Sequence, residues 1–308
     1  MLNEFVFWII FGIIVTVLFF IDLYITEHRQ SKITFKSSIT WSGVWILTAL
    51  LFDLFIYIFL KNGHAQAIDF LTGFIVEKSL SVDNLFVFLM IFKVMAVPPE
   101  SQPHVLKWGI LSAIVLRIIF ILVGVGLINA FHPVIYLFGL ILLWGSYKMA
   151  FGVDKELEYE KNPLIKIAVR YLNFKPGFYG KYFFIKKEGK VFATTMFLTF
   201  LLIESSDIIF AVDSIPAVIA ITRDSFIIIS SNIFAILGLR ALYFVLAKMV
   251  DKFIYLKYGV ALILLFVGIK MLASEYYPIP TIISLIIILS LLTGSVLLSL
   301  NSKRTNRA

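Results

Sequence analysis

Five carboxylates lie inside two strongly apolar stretches, where a charged side chain is costly unless it is paired, protonated or bound to a cation. Glu77 and Asp83 fall in Glu77-Lys-Ser-Leu-Ser-Val-Asp83-Asn84-Leu-Phe. Glu204, Asp207 and Asp213 fall in Glu204-Ser-Ser-Asp207-Ile-Ile-Phe-Ala-Val-Asp213-Ser-Ile-Pro216-Ala. Neutral oxygen donors flank them: Ser79, Ser81, Asn84, Ser205, Ser206 and Ser214. Neither stretch holds a histidine, and the chain has no cysteine. An all-oxygen set suits a hard or borderline cation such as Mn²⁺, Ca²⁺ or Mg²⁺ better than Zn²⁺ or copper. The expected metal ligands are therefore Glu77, Asp83, Asn84, Glu204, Asp207 and Asp213. Lys78, Arg117 and Arg240 are the expected counter-charges. Five carboxylates against three cations leave a charge of −2, which one divalent ion balances. A structural ion-pair network between helices is the competing reading. It accounts for the arginines but not for the two extra carboxylates. Asp22 and Asp53 are weaker candidates. His28, His64, His104 and His132 fall at loops or span ends and are assigned no metal. Lys148 and Lys270 are expected to snorkel from span ends.

One straight helix cannot aim all these groups at one ion. At about 100° per residue, Glu204 and Asp207 lie about 60° apart, whereas Asp213 is about 180° from Glu204. Asp83 is about 240° from Glu77 by the same rule. Pro216 has no N–H for the carbonyl of Val212, so the helix carrying Glu204 is expected to break there and swing Asp213 round. Irregular backbone is tolerated at that depth only against protein or a wet cavity.

The elements that carry these residues are membrane spans. The chain of 308 residues is 60% hydrophobic and only 15% charged, against about 25% in soluble domains. Its mean hydropathy is +0.97. Apolar runs predict an all-α polytopic membrane protein with nine transmembrane helices near 5–25, 41–60, 67–95, 105–129, 133–151, 191–219, 224–250, 255–272 and 279–300. The first run lacks a basic leader and a small-residue cleavage site, so it reads as a retained helix. Sorting lysines and arginines by alternate sides puts twenty on one side and Lys61, Arg223 and Lys270 on the other. That asymmetry predicts an outside N-terminus and a cytoplasmic C-terminus in the inner (plasma) membrane. It also explains the net charge of +8 without nucleic acid. Residues 1–308 read as one transmembrane domain. Its polar segment 152–190 reads as a cytoplasmic loop, with a short surface helix expected over Asn162 to Leu172.

Spacing reveals an internal repeat. Asp83 precedes Arg117 by 34 residues and Asp207 precedes Arg240 by 33. Arg117 precedes Lys148-Met149 by 31 and Arg240 precedes Lys270-Met271 by 30. Repeat one covers 67–151 and repeat two 191–272, three helices each. An odd number of spans inverts the second copy, the plan of many secondary transporters.

The stretches Glu77-Lys-Ser-Leu-Ser-Val-Asp-Asn-Leu-Phe-Val-Phe88 and Ile203-Glu-Ser-Ser-Asp-Ile-Ile-Phe-Ala-Val-Asp-Ser-Ile-Pro-Ala217 resemble the TerC family of integral membrane proteins, including its Alx-like manganese-export branch. Ser231-Asn-Ile-Phe-Ala-Ile-Leu-Gly-Leu-Arg-Ala-Leu-Tyr-Phe244 extends the likeness, which runs from Asp22 to Met271. The resemblance implies cation transport, with manganese as the substrate, and a link to tellurium resistance. It carries the family's acidic positions onto Glu77, Asp83, Glu204, Asp207 and Asp213. Ala193-Thr-Thr-Met196 departs from the Thr-Pro-Leu pattern of the family. The expectation is Mn²⁺ efflux by alternating access, with protons as the returning ions and no cofactor of its own. The alternatives are transport of Ca²⁺ or another cation, or a membrane partner in metal stress without transport. An intramembrane aspartyl protease would need Gly-x-Gly-Asp, and Asp213 follows Phe-Ala-Val, so no enzyme is expected.

Overall fold

A computed structural model of the chain describes residues 4–28, 35–131, 133–151, 166, 171–187, 189–248, 255–274, 276–277 and 279–305. Of Asp22, Asp83 and Asp213 only the backbone is described. The elements follow in the order α1 (Glu4–His28), α2 (Phe35–Phe59), α3 (Gly63–Val94), α4 (Gln102–Ala130), α5 (Val134–Phe151), β1 (Phe184–Lys187), β2 (Lys190–Ala193), α6 (Thr195–Ile219), α7 (Ser225–Ile236), α8 (Leu239–Ala247), α9 (Leu256–Ala273) and α10 (Thr281–Thr305). Six of these helices are long and apolar enough to cross a bilayer: α2, α4, α5, α6, α9 and α10. The bent pair α7–α8 makes a seventh if it counts as one span. The apolar stretch described in α1, Phe5–Ile21, is shorter than a span. α3 is interrupted by Asp69, Glu77, Lys78 and Asp83.

Two features differ from the sequence reading. The expected helix over 224–250 is two helices meeting at Leu237 and Gly238, bent by 42°. α6, in contrast, runs unbroken through Pro216. The proline stands in the last turn of α6, so its missing N–H frees one carbonyl near the helix end. The helix closes normally behind it, with Ala220 N–H donating to Pro216 O at 2.9 Å. The break is made by Gly238 instead, at φ 80°, a left-handed conformation that glycine adopts without steric cost.

Segment 152–190 is more than a solvated linker. Its last part pairs with the residues that follow it, in an antiparallel hairpin with Phe184 opposite Ala193 and Lys187 opposite Lys190. Phe174, Phe178 and Phe183 pack beneath the bundle. Thr194 is buried in extended conformation and donates its hydroxyl to the Tyr182 and Phe183 carbonyls at 2.9 and 3.1 Å. That arrangement fixes how the chain turns into α6 at the sequence Ala193-Thr-Thr-Met196. The expected surface helix over 162–172 lies almost wholly outside the described residues.

α3, α4, α6 and α7–α8 form the centre. α3 packs on α7 and α6, α4 on α6 and α7, and α5 lies along α9. α2 covers α3 and α8, while α10 covers α9 and α3. The α5–α9 approach is close because Gly139 and Gly268 face it. A Cβ on Gly139 would lie 2.7 Å from the Leu272 side chain. Small residues at such contacts are how helices gain packing where lipid removes the hydrophobic drive. The outward faces of α1, α2, α4, α5 and α10 carry exposed Ile, Leu, Val and Phe, as a lipid-facing surface does.

A Cβ on Gly238 would overlap the Trp45 indole of α2 and also force a side chain into φ 80°. Gly238→Ala is therefore expected to destabilise the protein by about 2 kcal/mol or more. Thermal unfolding of the detergent-solubilised variant checks this. An unchanged midpoint would mean that the bend is not set by this glycine.

Candidate functional site

Two apolar clusters divide the bundle, and the polar residues lie at their boundary. The first cluster holds Phe7, Phe11, Phe52, Phe70, Ile121, Val125, Ala211, Ile215, Phe226 and Phe234. The second holds Leu85, Phe88, Phe92, Leu106, Ile110, Met196, Leu202, Ile203, Ile236 and Tyr243. Along α4 the switch between clusters falls between Ile110 and Ile121, which brackets Arg117. Along α6 it falls between Ile203 and Ala211, which brackets Glu204 and Asp207. α3 changes over around Glu77, Ser81 and Asn84, and α7 just beyond Asn232.

Arg117 is the hub of this layer. It is 1% exposed. Its Nη1 ion-pairs with Oε1 of Glu77. The same Nη1 contacts Asn232 Oδ1 at 3.3 Å and Ser214 Oγ at 3.4 Å. Nη2 reaches Oδ1 of Asp207 at 3.5 Å. One guanidinium from α4 thus touches α3, α6 and α7. Ser81, one turn past Glu77, donates to the same Oε1 at 3.2 Å. Asn232 is aimed by its own bond, Nδ2 to Ile228 O at 3.0 Å.

The two contacts of Arg117 are unequal. Its pair with Glu77 is tight. Its contact with Asp207, at 3.5 Å, sits at the outer limit for a hydrogen bond. Among the described residues, four buried carboxylate oxygens have no hydrogen-bond partner: Glu77 Oε2, Glu204 Oε1 and Asp207 Oδ2 here, and Asp53 Oδ1 on α2. Glu204 and Asp207 share a face of α6, as their spacing predicts. That face looks at α4, where a Cβ on Gly109 would lie 3.6 Å from Glu204 Oε1. A cavity of about 20 Å³ lies there, lined by Asp207, Gly109, Ala113, Ile203, Phe88 and Leu106 among others. It has room for one water or one bare ion.

Of the expected ligands, then, Arg117 holds Glu77 and Asp207, while Glu204 stands one turn from Asp207 on α6 and makes no contact with Arg117 that the described side chains show. Asn84 is buried on α3, and Ser214 joins the Arg117 contacts. The side chains of Asp83 and Asp213 lie outside the described residues. Among the described residues, no three acidic or histidine side chains converge as a ready metal cage. Arg240 is buried in the first turn of α8, immediately after the break. Lys78 is placed differently from its expected role. Its Nζ donates to the backbone carbonyls of Ala235 and Leu237 at 3.0 and 3.5 Å. Asp53 lies on α2 with one buried oxygen unpartnered. Lys270 does not snorkel, since it is buried and donates to Ser284 Oγ at 2.9 Å. Asn232 was missed by the sequence reading, although Ser230-Ser231-Asn232 interrupts an apolar helix and could have drawn notice.

The family profile described as Integral membrane protein TerC family matches residues 62–307. An Escherichia coli K12 protein named "Putative membrane-bound redox modulator Alx" is 43% identical over 292 residues, covering 92% of this chain and 91% of the relative. The Myxococcus xanthus "Uncharacterized membrane protein STKORF319" is 41% identical over 297 residues, 96% of this chain and 92% of the relative. A Rickettsia felis "Uncharacterized membrane protein" is 39% identical over 296 residues, 96% and 98% respectively. No solved structure matches the chain.

Removing Arg117 leaves two buried carboxylates without their cation. Arg117→Met is expected to cost about 3–5 kcal/mol, and the double variant Glu77→Gln/Arg117→Met to recover much of that loss. A double-mutant cycle on unfolding midpoints measures the coupling. Additive losses would mean that the pair does not hold α3 to α4.

Proposed function

The chain belongs to the TerC family of integral membrane proteins, and on that footing we propose that it carries a divalent cation, Mn²⁺, out of the cytoplasm by alternating access. The observation that carries the reading is the α6 acid pair: Glu204 and Asp207 each keep a buried carboxylate oxygen without a hydrogen-bond partner, and Asp207 lines a cavity of about 20 Å³. Unused carboxylate valence costs stability inside a bilayer. A cation or a proton offsets that cost. The ligand chemistry is all oxygen, which fits Mn²⁺ and also Ca²⁺. Asp83 and Asp213 are proposed to complete the set with Asn84 and Glu77.

On this reading, apolar packing closes a path at both ends of the layer. On the side of the α4 N-terminus, the second apolar cluster seals the site, and Tyr243 Oη donates to Gln102 Oε1 at 2.8 Å. On the opposite side stands the aromatic cluster, beyond which Gln66 Nε2 donates to Asp224 Oδ2 at 3.0 Å. A half-polar pocket of about 310 Å³ opens there, lined by Lys61, Asn62, Gln66 and Asp224 among others. We take the Tyr243 end as cytoplasmic, because the hairpin with Lys186, Lys187 and Lys190 lies on that side. The pocket at Asp224 then serves as the outer exit. Counting α1, α3 and the bent pair as spans gives nine crossings. Helix contacts support an inverted repeat of α3–α5 against α6–α9. α3 packs on α7 as α6 packs on α4, and α5 packs on α6 as α9 packs on α3. Such mates are what a two-fold axis in the membrane plane produces.

The name of the Alx relatives mentions redox. This chain has no cysteine, hence no thiol with which to act on redox state. Control of a redox-active metal is a route consistent with both facts.

Cells lacking other manganese exporters test the reading. Wild-type protein is expected to lower cell manganese. Asp207→Asn and Glu204→Gln are expected to abolish that effect while leaving the protein folded, because each removes a buried charge with one unpartnered oxygen, and Asp207 gives up only its long contact to Arg117. Variants that still export manganese would sink the site. Competition by Ca²⁺ in reconstituted vesicles decides the ion.

A further inference from the structure

The break between α7 and α8 is a second place where the chain concentrates charge inside the bilayer. α7 ends at Ile236, so its last carbonyls have no helical N–H partners and carry the negative end of the helix dipole. Leu237 (φ −57°, ψ 132°) and Gly238 (φ 80°) turn the chain before α8 starts. One of these carbonyls is used within the chain, since Ile233 O accepts from Leu237 N–H at 2.9 Å; beyond the turn, Gly238 O accepts the first helical bond of α8, from Leu242 N–H at 3.1 Å. Ala235 O and Leu237 O instead receive the Lys78 ammonium, at 3.0 and 3.5 Å. Lys78 comes from α3, the helix packed along α7. The approach is tight, since a Cβ on Gly73 of α3 would lie 2.9 Å from Ser231 Oγ of α7.

Carbonyls at the end of an unwound half-helix are the groups with which broken transporter helices hold a monovalent cation. Here a cation on a tether already fills the place. We propose that the α7–α8 break is a monovalent-cation site occupied by the chain's own Lys78, so that no free Na⁺ or K⁺ is needed to hold the bend. Lys78 is a positioning residue in this account. It neighbours Glu77, so the bend and the Arg117 layer are tied to one turn of α3. The inference concerns what holds the break and stands apart from the metal reading.

The test is thermal unfolding of the full-length protein in lipid nanodiscs, in NaCl, KCl or choline chloride at equal ionic strength. The wild type is expected to unfold at one temperature in all three. Lys78→Met keeps the apolar stem and removes the charge. Its midpoint is expected to fall in choline and to recover by about 3 °C or more as Na⁺ or K⁺ saturates. Lys78→Gln, which leaves a neutral donor for the same carbonyls, is expected to show the same dependence more weakly. Folded variants indifferent to Na⁺ and K⁺ overturn the proposal. So does a wild type that Na⁺ or K⁺ stabilises over choline. Failure of both variants to fold in all three salts has the same meaning, because free cation has then not replaced the ammonium. Manganese flux is not read here, so this outcome and that of the carrier reading remain separable.

Discussion

Carboxylates cannot stay charged in an apolar layer without a neighbour of opposite sign, and Arg117 is the neighbour around which this bundle is arranged. It joins α4 to Glu77 of α3, Asn232 of α7, and Ser214 and Asp207 of α6. Four helices therefore depend on one guanidinium. The group is suited to this, being planar, permanently charged and able to donate in several directions. A lysine in its place would bring one charge but not the fork.

The layer is useful because it is thin. Apolar clusters lie on either side, and each is crossed by an inter-helix hydrogen bond, Tyr243 to Gln102 on one side and Gln66 to Asp224 on the other. Both bonds join a helix of α3–α5 to one of α7–α8. Packed clusters switch between discrete arrangements more readily than they deform. The bent pair α7–α8 meets both clusters, since Phe226 and Phe234 belong to the first and Leu239 and Tyr243 to the second. Its 42° bend therefore sets how the two clusters meet.

Much of this was legible in the sequence, and the exceptions have physical causes. Apolar run length places the helices, because a span needs its length whatever its neighbours. Charge rarity singles out Glu77, Arg117, Glu204 and Asp207, because lipid penalises every unexplained charge. The break was misplaced because Pro216 is the louder signal. A proline in the last turn of α6 disturbs little, whereas Gly238, silent in composition, takes a φ that other residues avoid. Lys78 was read by charge and so matched to carboxylates. Its actual partners are backbone carbonyls, which are not encoded by residue type. The hairpin Phe184–Ala193 was hidden by its lysines, although Gly189 at φ 76° marks its turn.

The unequal grip of Arg117 bears on how an ion could be both held and released. A cation must compete with the guanidinium for its carboxylates. Against Glu77 it competes poorly, because that pair is close and Ser81 supports it. Against Asp207 it competes well, because the contact is at 3.5 Å and one oxygen is already without a partner. Glu204, one turn away on the same face, also keeps an unpartnered oxygen, 3.6 Å from where a Cβ on Gly109 would stand. The first carboxylates to meet an ion should then be those of α6, with Arg117 remaining on Glu77. Arg117 would be displaced only from the group it holds least. Such a site never loses its counter-charge completely, so the layer stays assembled when the ion leaves. A carrier needs that property, because binding strong enough to build the site would be too strong to empty it.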